Sequence, residues 1–290
     1  MSNFRLTRWS IMPAIVIAVI VFLSTFGSVL LGAFLRQRLP EHHVSEDSKD
    51  IVVLSTGLVA TLTALLLGLL VASANESFQS FNGGLEKMGT KLIALDRVLA
   101  HYGPETSEAR AFLRHHTLTA VLRNWPEDAQ QLAGFAPTGE PTATASVAHS
   151  ASVESGRLED LRKTSDVLAR IQNILLELSP QDHAQTWRQA EALALTSQLS
   201  EEQWSLVEKA QSPLPNPLVL ILVVWLVILF ATFGLFAPRN KTVTTILVLC
   251  SLSASAAIFL VLELNSVTSG MMKASSSPLV TALQVMGPVK

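Results

Sequence analysis

The feature that most constrains this chain is an uncharged apolar stretch that runs directly into an amphipathic one. Residues Ile51 to Asn75 carry no charge, and the stretch is longer than the roughly 20 residues that a helix needs to cross a bilayer. Beyond Glu76, apolar residues recur alternately three and four apart, the spacing of a coiled-coil seam. They are Phe78, Phe81, Leu85, Met88, Leu92, Leu95, Leu99 and Tyr102. The pattern predicts one long helix that leaves a membrane and continues in water, with a kink near Gly83, because glycine weakens a helix interior.

Composition places the chain among membrane proteins. Hydrophobic residues make up 49% of the sequence and charged residues 15%, which is too apolar for an ordinary soluble domain. The central region from Asn75 to Asn216 carries 12 basic against 18 acidic residues, and this acidic balance argues against a nucleic-acid partner. The single cysteine, Cys250, allows neither an intrachain disulfide nor a cysteine-based metal cluster.

Three further stretches have the length and composition of membrane spans, namely residues 9–35, 217–237 and 242–262. The first is too long for the apolar core of a signal peptide, so an anchor is the favoured interpretation. Its small residues Ser24, Ser28 and Gly32 predict close packing against the second span. The predicted fold is therefore all-α, with four transmembrane helices and a helical-bundle soluble domain inserted between the second and third spans.

The domain organisation follows from these spans. We predict transmembrane helices 1 and 2 in residues 1–75, a soluble helical domain in 76–216, and transmembrane helices 3 and 4 in 217–264. Residues 265–290 then form a polar C-terminal tail lying along the surface. Within the soluble domain, the Ala-, Thr-, Ser-, Pro- and Gly-rich residues 134–152 predict a mobile loop, because such a composition buries little apolar area.

The soluble domain divides into several predicted helices. One begins near Pro104 and ends before Pro126, and an amphipathic helix carries apolar residues from Leu158 to Leu178. A further helix covers residues 181–198. The residues at 200–203, Ser-Glu-Glu-Gln, resemble a capping box and predict the start of a separate short helix.

Some residues of the second span are candidates for packing and for ion conduction. Small residues recur every fourth position, a pattern that favours close helix packing: Ala60, Ala64, Gly68 and Ala72. Thr56 and Thr63 lie seven residues apart, hence on one side of a helix, and are the candidates to line an aqueous path. Glu76 and Glu263 both fall at span ends on one membrane face, so they are candidates for a pore mouth, with interfacial solvation as the alternative.

No motif in the sequence indicates catalysis. The chain lacks a HExxH, a GxSxG and a Rossmann glycine set. Adjacent histidines at 42–43 and 115–116 are explained by solvent or packing rather than by a metal site. We therefore expect no enzymatic activity, no cofactor and no bound metal.

Three ordered segments resemble the bestrophin-like family of bacterial and plant membrane proteins. They are residues 59–78 (VATLTALLLGLLVASANESF), 234–242 (GLFAPRNKT) and 257–279 (AIFLVLELNSVTSGMMKASSSPL). The resemblance implies four spans, a cytoplasmic helical domain after the second, and a distant likeness to pentameric anion channels. The Asn-Pro motif and aromatic constriction of the bestrophin neck have no match between Ile51 and Asn75, and the acidic calcium clasp is missing too, so no functional residue is carried over.

Two functions remain open from the sequence. One is an oligomeric ion channel, anion-conducting by the resemblance; the other is a non-conducting membrane scaffold or regulator whose soluble domain binds a protein partner. We expect a homo-oligomer in the lipid of the inner cell membrane, without a nucleic-acid partner. The N-terminus, central domain and C-terminus are expected in the cytoplasm.

Overall fold

The structure, a computed structural model, describes residues 14–38, 46–128, 132, 167–211, 216–238, 240–265 and 272–288. Most of these residues are helical, and none of them forms a strand. The helices are α1 (Ala14–Arg38), α2 (Glu46–Tyr102), α3 (Ser107–Asn124), α4 (167–177), α5 (His183–Gln211), α6 (Asn216–Phe236), α7 (Lys241–Asn265) and α8 (Ser277–Met286). The loop predicted at 134–152, the histidines at 42–43 and the apolar residues Leu158 and Leu161 lie outside the described residues.

The chain forms two compact units, residues 1–79 with 212–273, and residues 80–211 with 274–290. We call the first the span unit and the second the helical unit. Among the described residues, four helices are long and apolar enough to cross a membrane: α1, the first part of α2, α6 and α7. The fold class predicted from the sequence, all-α with four such helices, is confirmed.

Within the span unit, α1 packs closely on α6 at two glycines. A Cβ atom on Gly32 would overlap the carbonyl oxygen of Ala231, and one on Gly234 would overlap the carbonyl oxygen of Val29. At the helix ends, Nη1 of Arg36 donates to the carbonyl oxygen of Ala237 at 2.6 Å. The sequence assigned the small face of α1 to the second span; the backbone that meets Gly32 belongs to the third span instead.

The apolar core of the span unit draws on all four spans. Its buried residues are Ile17, Val21, Val29, Leu70, Ala74, Leu222, Leu226, Phe230, Ile258, Val261 and Leu264. Polar side chains buried beside this core bond to their own helices: the hydroxyl of Thr25 donates to the carbonyl oxygen of Val21 at 2.9 Å, and that of Ser251 to Leu247 at 2.9 Å. Such bonds leave no hydroxyl unsatisfied in an apolar surrounding.

Helix α2 is continuous from Glu46 to Tyr102, and the kink predicted near Gly83 stays a prediction. Two other glycines of this helix make room for neighbours in the helical unit. A Cβ atom on Gly84 would lie 2.6 Å from Cδ2 of Leu206, and one on Gly89 would lie 2.7 Å from the carbonyl oxygen of Pro278. The missing side chains of these two glycines therefore serve packing.

The predicted seam is the core of the helical unit. Phe81, Leu85, Leu92, Leu95, Leu99 and Tyr102 are buried, together with Leu113 and Val121 of α3, Ile171 and Leu175 of α4, and Leu199 of α5. After α2 the chain turns at Gly103, whose φ of 145° favours glycine. The hydroxyl of Thr106 closes the turn by donating to the carbonyl oxygen of Leu99 at 2.6 Å.

The prediction that a separate helix starts at the capping-box pattern of Ser200 is wrong. Helix α5 runs unbroken from His183 to Gln211. The Ser200 hydroxyl donates backward to the carbonyl oxygen of Thr196 at 3.1 Å, as it does inside a helix rather than at its start.

The C-terminal residues form a buried helix, where the sequence predicted a polar surface tail. Helix α8 buries Leu279, Val280, Ala282, Leu283 and Met286 in the helical unit. Before it, the indole Nε1 of Trp125 donates to the carbonyl oxygen of Ala274 at 2.7 Å. After it, Nη1 of Arg114 donates to the carbonyl oxygen of Pro288 at 3.2 Å. The segment is therefore anchored at both ends.

Candidate functional site

The second span, the first part of α2, is held in the span unit by one narrow face. Thr63, Leu70 and Ala74 are buried, and Thr56 and Phe78 are half-buried. These positions lie on one side of the helix, because the α-helical repeat brings residues three, four and seven apart onto the same face.

The opposite side of the second span is uncovered. Of the 18 most apolar consecutive residues of this span, 6% are buried, whereas the corresponding share in the other three spans is 22% to 33%. The exposed positions are mostly aliphatic or small, and the polar ones among them are Ser55, Thr61, Ser73 and Asn75; the others include Leu54, Leu58, Leu62, Ala64, Leu65, Gly68, Leu69 and Ala72. We call this surface the free face of the second span.

The two threonines predicted to line a water path lie on the packed side of the helix. The side chain of Thr63 is 5% exposed, and its hydroxyl donates to the carbonyl oxygen of Val59 at 2.7 Å. Thr61, another polar residue of this span, is exposed on the free face and donates to the carbonyl oxygen of Gly57 at 2.9 Å. A pore-lining role for Thr56 and Thr63 stays a prediction.

Most of the small-residue stripe of the second span is exposed within the single chain. Ala60 is half-buried, whereas Ala64, Gly68 and Ala72 are exposed. A Cβ atom on Gly68 would meet nothing within 4 Å. The stripe is thus open to a helix from another chain, and its role in helix packing stays a prediction.

The two glutamates predicted at a pore mouth have different surroundings. Glu76 is exposed. Glu263 is 4% exposed, and its Oε1 accepts the backbone N–H of Met272 at 3.1 Å. Glu263 therefore binds the backbone at Met272, and the pore-mouth assignment of both residues stays a prediction.

An ion cluster lies in the helical unit, and the sequence analysis did not find it. Nε and Nη2 of Arg110 donate to the two carboxylate oxygens of Asp96 at 2.9 and 3.0 Å, and Nη2 of Arg114 adds a third bond at 3.3 Å. The side chain of Asp96 is 8% exposed and that of Arg114 is 13% exposed. The sequence did contain a signal for this cluster: Asp96 lies within the apolar seam of α2, and Arg110 and Arg114 lie four residues apart on α3.

The paired histidines of α3 differ in burial. His115 is exposed, whereas His116 is largely buried. Burial lowers the pKa of His116 to about 4, with smaller contributions from the positive charges of Arg123 and His115. His116 is therefore neutral in the folded protein at pH 7.

The depressed pKa of His116 predicts acid sensitivity of the helical unit. An unfolded histidine titrates near pH 6.5, so the unfolded state binds the proton first and stability falls between about pH 6.5 and pH 4. The free energy of unfolding falls by about 3 kcal/mol in total over this range. His116→Gln is expected to flatten this part of the pH profile of thermal unfolding, while His115→Gln retains it. Identical profiles for the two variants would contradict the assignment.

No group of three His, Cys, Asp or Glu side chains that could hold a metal ion occurs among the described residues. The site that remains is the free face of the second span, a mainly apolar surface carrying a few polar side chains and a stripe of small residues. Such a surface can contact lipid, pack against other chains or border a narrow path shared by several chains. It carries no catalytic group.

Comparison with known proteins identifies related sequences and folds. The Bestrophin-like domain family matches residues 23–279. A bacterial bestrophin homologue from Klebsiella pneumoniae is similar in structure, with a TM-score of 0.57, 15% identity, and coverage of 92% of this chain and 96% of that chain. Mutant forms of the same homologue give TM-scores of 0.59 and 0.60 at 15% and 13% identity, over 94% and 93% of this chain and 96% and 97% of theirs. No curated protein matches the chain.

Proposed function

We propose that this chain, which belongs to the bestrophin-like family, assembles into an oligomeric ion channel in which the second membrane span lines the ion path. The observation that carries the proposal is the free face of the second span, since this span is far less covered than the other three. A symmetric ring of chains would cover that face around a common axis. No enzymatic role and no cofactor are part of the proposal.

The chemistry of the free face sets the expected selectivity. Its side chains are mostly aliphatic or small, its polar groups are the hydroxyls of Ser55, Thr61 and Ser73 and the amide of Asn75, and the sequence has no Lys or Arg from Ile51 to Asn75. A strong anion filter needs a ring of positive charge or of oriented donors. We therefore propose weak selectivity with a small preference for anions, determined by pore width and hydroxyls.

We place the chain in the inner cell membrane, with both termini and the central helices on the cytoplasmic side. An even number of spans keeps the two termini on one side, and the resemblance to bestrophin-like proteins supports a cytoplasmic orientation. The basic residues at the span ends contribute little to this choice of orientation, because their numbers are nearly equal on the two sides of the membrane.

Lysine substitution at two neighbouring threonines tests which face borders the path. Thr61→Lys is expected to fold and to raise the chloride-to-sodium permeability ratio in liposomes severalfold, because a charge on a wet face attracts anions. Thr63→Lys is expected to yield little folded protein, because position 63 is 5% exposed and a charge buried at membrane depth costs about 2.5 to 3.5 kcal/mol or more.

The reverse outcome would overturn this assignment. Folded Thr63→Lys protein with altered selectivity, alongside a Thr61→Lys protein with unchanged selectivity, would place the path on the Thr56 and Thr63 side. Thr61→Gln serves as the matched neutral control, since it enlarges the same side chain without adding a charge.

A further inference from the structure

The free face of the second span divides into two rows of side chains. Successive residues of a helix are about 100° apart, so residues three, four and seven apart line up along one side. The first row is small or polar and contains Gly57, Thr61, Ala64, Gly68, Ala72 and Asn75. The second row is aliphatic and contains Ile51, Leu58, Leu62, Leu65 and Leu69. We call them the small row and the leucine row; their mean directions differ by roughly a quarter of a turn, and Leu54 lies between them.

The composition of the two rows decides which one borders a water path. In a ring of chains inserted in the same direction, every copy turns the same side of its second span toward the common axis. A path lined by leucine excludes water, whereas leucine suits contact with lipid or with a neighbouring chain. An amide that faces hydrocarbon without a partner costs free energy, so the side that carries Asn75 belongs toward water. The small row therefore faces the axis, and the leucine row lies beside it.

The four polar side chains of the free face differ in what they offer to an ion. The hydroxyl of Thr61 donates to the carbonyl oxygen of Gly57 in its own helix. Ser55 and Ser73 lie on the far side of the leucine row from the small row. Asn75 lies in the small row, and its amide nitrogen carries two N–H donors. The amide of Asn75 is therefore the stronger anion contact among these groups.

We propose that Asn75 is the specificity-determining residue of the channel. One amide from each chain forms a ring at the end of the span, where the N–H groups contact a partly hydrated anion. The inference rests on the proposed channel function and names the group that distinguishes anions from cations within it. An amide has no net charge, so the ring favours chloride without excluding sodium.

Glu76 follows Asn75 directly but lies in a different direction. It is about 100° further round the helix and seven residues after Leu69, so it continues the leucine row. In a ring of chains its carboxylate therefore points toward a neighbouring chain or the membrane boundary rather than toward the axis. The negative charge of Glu76 opposes an anion less than its place in the sequence suggests.

Aspartate substitution tests Asn75 without changing the size of the side chain. Asn75→Asp is expected to lower the chloride-to-sodium permeability ratio in liposomes severalfold, because a ring of carboxylates attracts cations. Ser73→Asp is the matched control, since it adds the same charge two residues earlier but about 160° away around the helix. It is expected to leave the ratio unchanged, and Glu76→Gln is expected to change it less than Asn75→Asp does. Size-exclusion profiles establish that each variant folds.

Thiol labelling tests the assignment of the rows without an added charge. Cys250→Ser provides a background without the native thiol. The full-length oligomer in liposomes is exposed to a charged, membrane-impermeant methanethiosulfonate, which reacts with thiolates that water reaches. Two pairs of consecutive, exposed positions match in depth: T61C with L62C, and A64C with L65C. The thiols of the small row, at 61 and 64, are expected to react severalfold faster than those of the leucine row.

Equal labelling of the two rows, or faster labelling of L62C and L65C, would overturn the inference. A folded Asn75→Asp protein with the wild-type permeability ratio would overturn it too, and would leave the channel standing, because the wild-type protein conducts in that case. Wild-type protein that passes no ions overturns the channel itself, so the two failures are distinguishable.

Discussion

Replacing Gly32 or Gly234 by alanine is expected to destabilise the span unit by about 3 kcal/mol, the upper end for overpacking, and to remove most of the detergent-stable protein. Besides overlapping the Ala231 carbonyl oxygen, a Cβ atom on Gly32 would lie 2.9 Å from the backbone nitrogen of Leu235. One on Gly234 would lie 2.8 Å from the carbonyl carbon of Val29. These are backbone atoms, so α1 and α6 must separate to admit a methyl group.

Gly68→Ala is the matched control, because a Cβ atom at this membrane-embedded glycine meets nothing within 4 Å. It is expected to fold at least as well as the wild type, since alanine favours a helix by about 1 kcal/mol over glycine. Gly68→Leu is expected to disturb assembly between chains while leaving the folded chain intact. Thermal stability in detergent, followed by size-exclusion chromatography, is measured for all four variants. Equal losses for Gly32→Ala and Gly68→Ala would contradict the packing described for α1 and α6.

Asp96→Ala is expected to cost the helical unit about 3 to 5 kcal/mol, because it leaves two guanidinium groups without their carboxylate in a largely buried site. Arg114 is affected most: its Nε already lacks a hydrogen-bond partner, and its side chain is 13% exposed. Since Arg114 also donates to the Pro288 carbonyl oxygen, loss of Asp96 is expected to loosen the end of α8.

Chemical denaturation of the purified protein, with protease sensitivity of the C-terminus as a second readout, measures this effect. Glu108→Ala is the control, because its ion pair with Arg170 joins side chains that are 60% and 57% exposed, and exposed pairs contribute about 0 to 1 kcal/mol. A cost for Glu108→Ala that equals the cost for Asp96→Ala would show that burial does not distinguish the two pairs.

The membrane spans and the seam were predictable because each depends on a long, regular pattern. Twenty or more uncharged residues have few structural alternatives, and eight apolar residues at alternating spacing define one helix face over several turns. The buried residues Leu92, Leu95 and Leu99 lie where that spacing places them.

Packing partners were not predictable from the same patterns. The spacing of Thr56 and Thr63 shows that they share a helix side, but only tertiary structure shows that this side is the packed one. Small residues at Gly32 and Gly68 give the same local signal, yet one contacts a neighbouring backbone and the other is open. A stripe of small residues indicates a capacity for close approach without naming the partner.

Local signals were misleading where tertiary contacts outweighed them. The capping-box pattern at Ser200 lies inside α5, whose buried residues Leu199 and Leu206 continue the helix through it. The serine-rich residues before α8 suggested a polar tail, whereas Leu279, Leu283 and Met286 bury one face of a short helix. Isolated helices of this length are marginal in water, so α8 depends on the contacts it makes.

The most direct test of the central claim is ion flux through purified wild-type protein in liposomes. The chain is purified as the oligomer it forms, reconstituted, and placed under opposed chloride and sodium gradients. The account predicts a conductance that passes both ions, because the free face of the second span carries no fixed charge between Ile51 and Asn75, with a small preference for chloride set by hydroxyl donors and pore width. Protein that folds and inserts but passes neither ion, in every oligomeric state recovered, would contradict the channel and leave a membrane scaffold as the function.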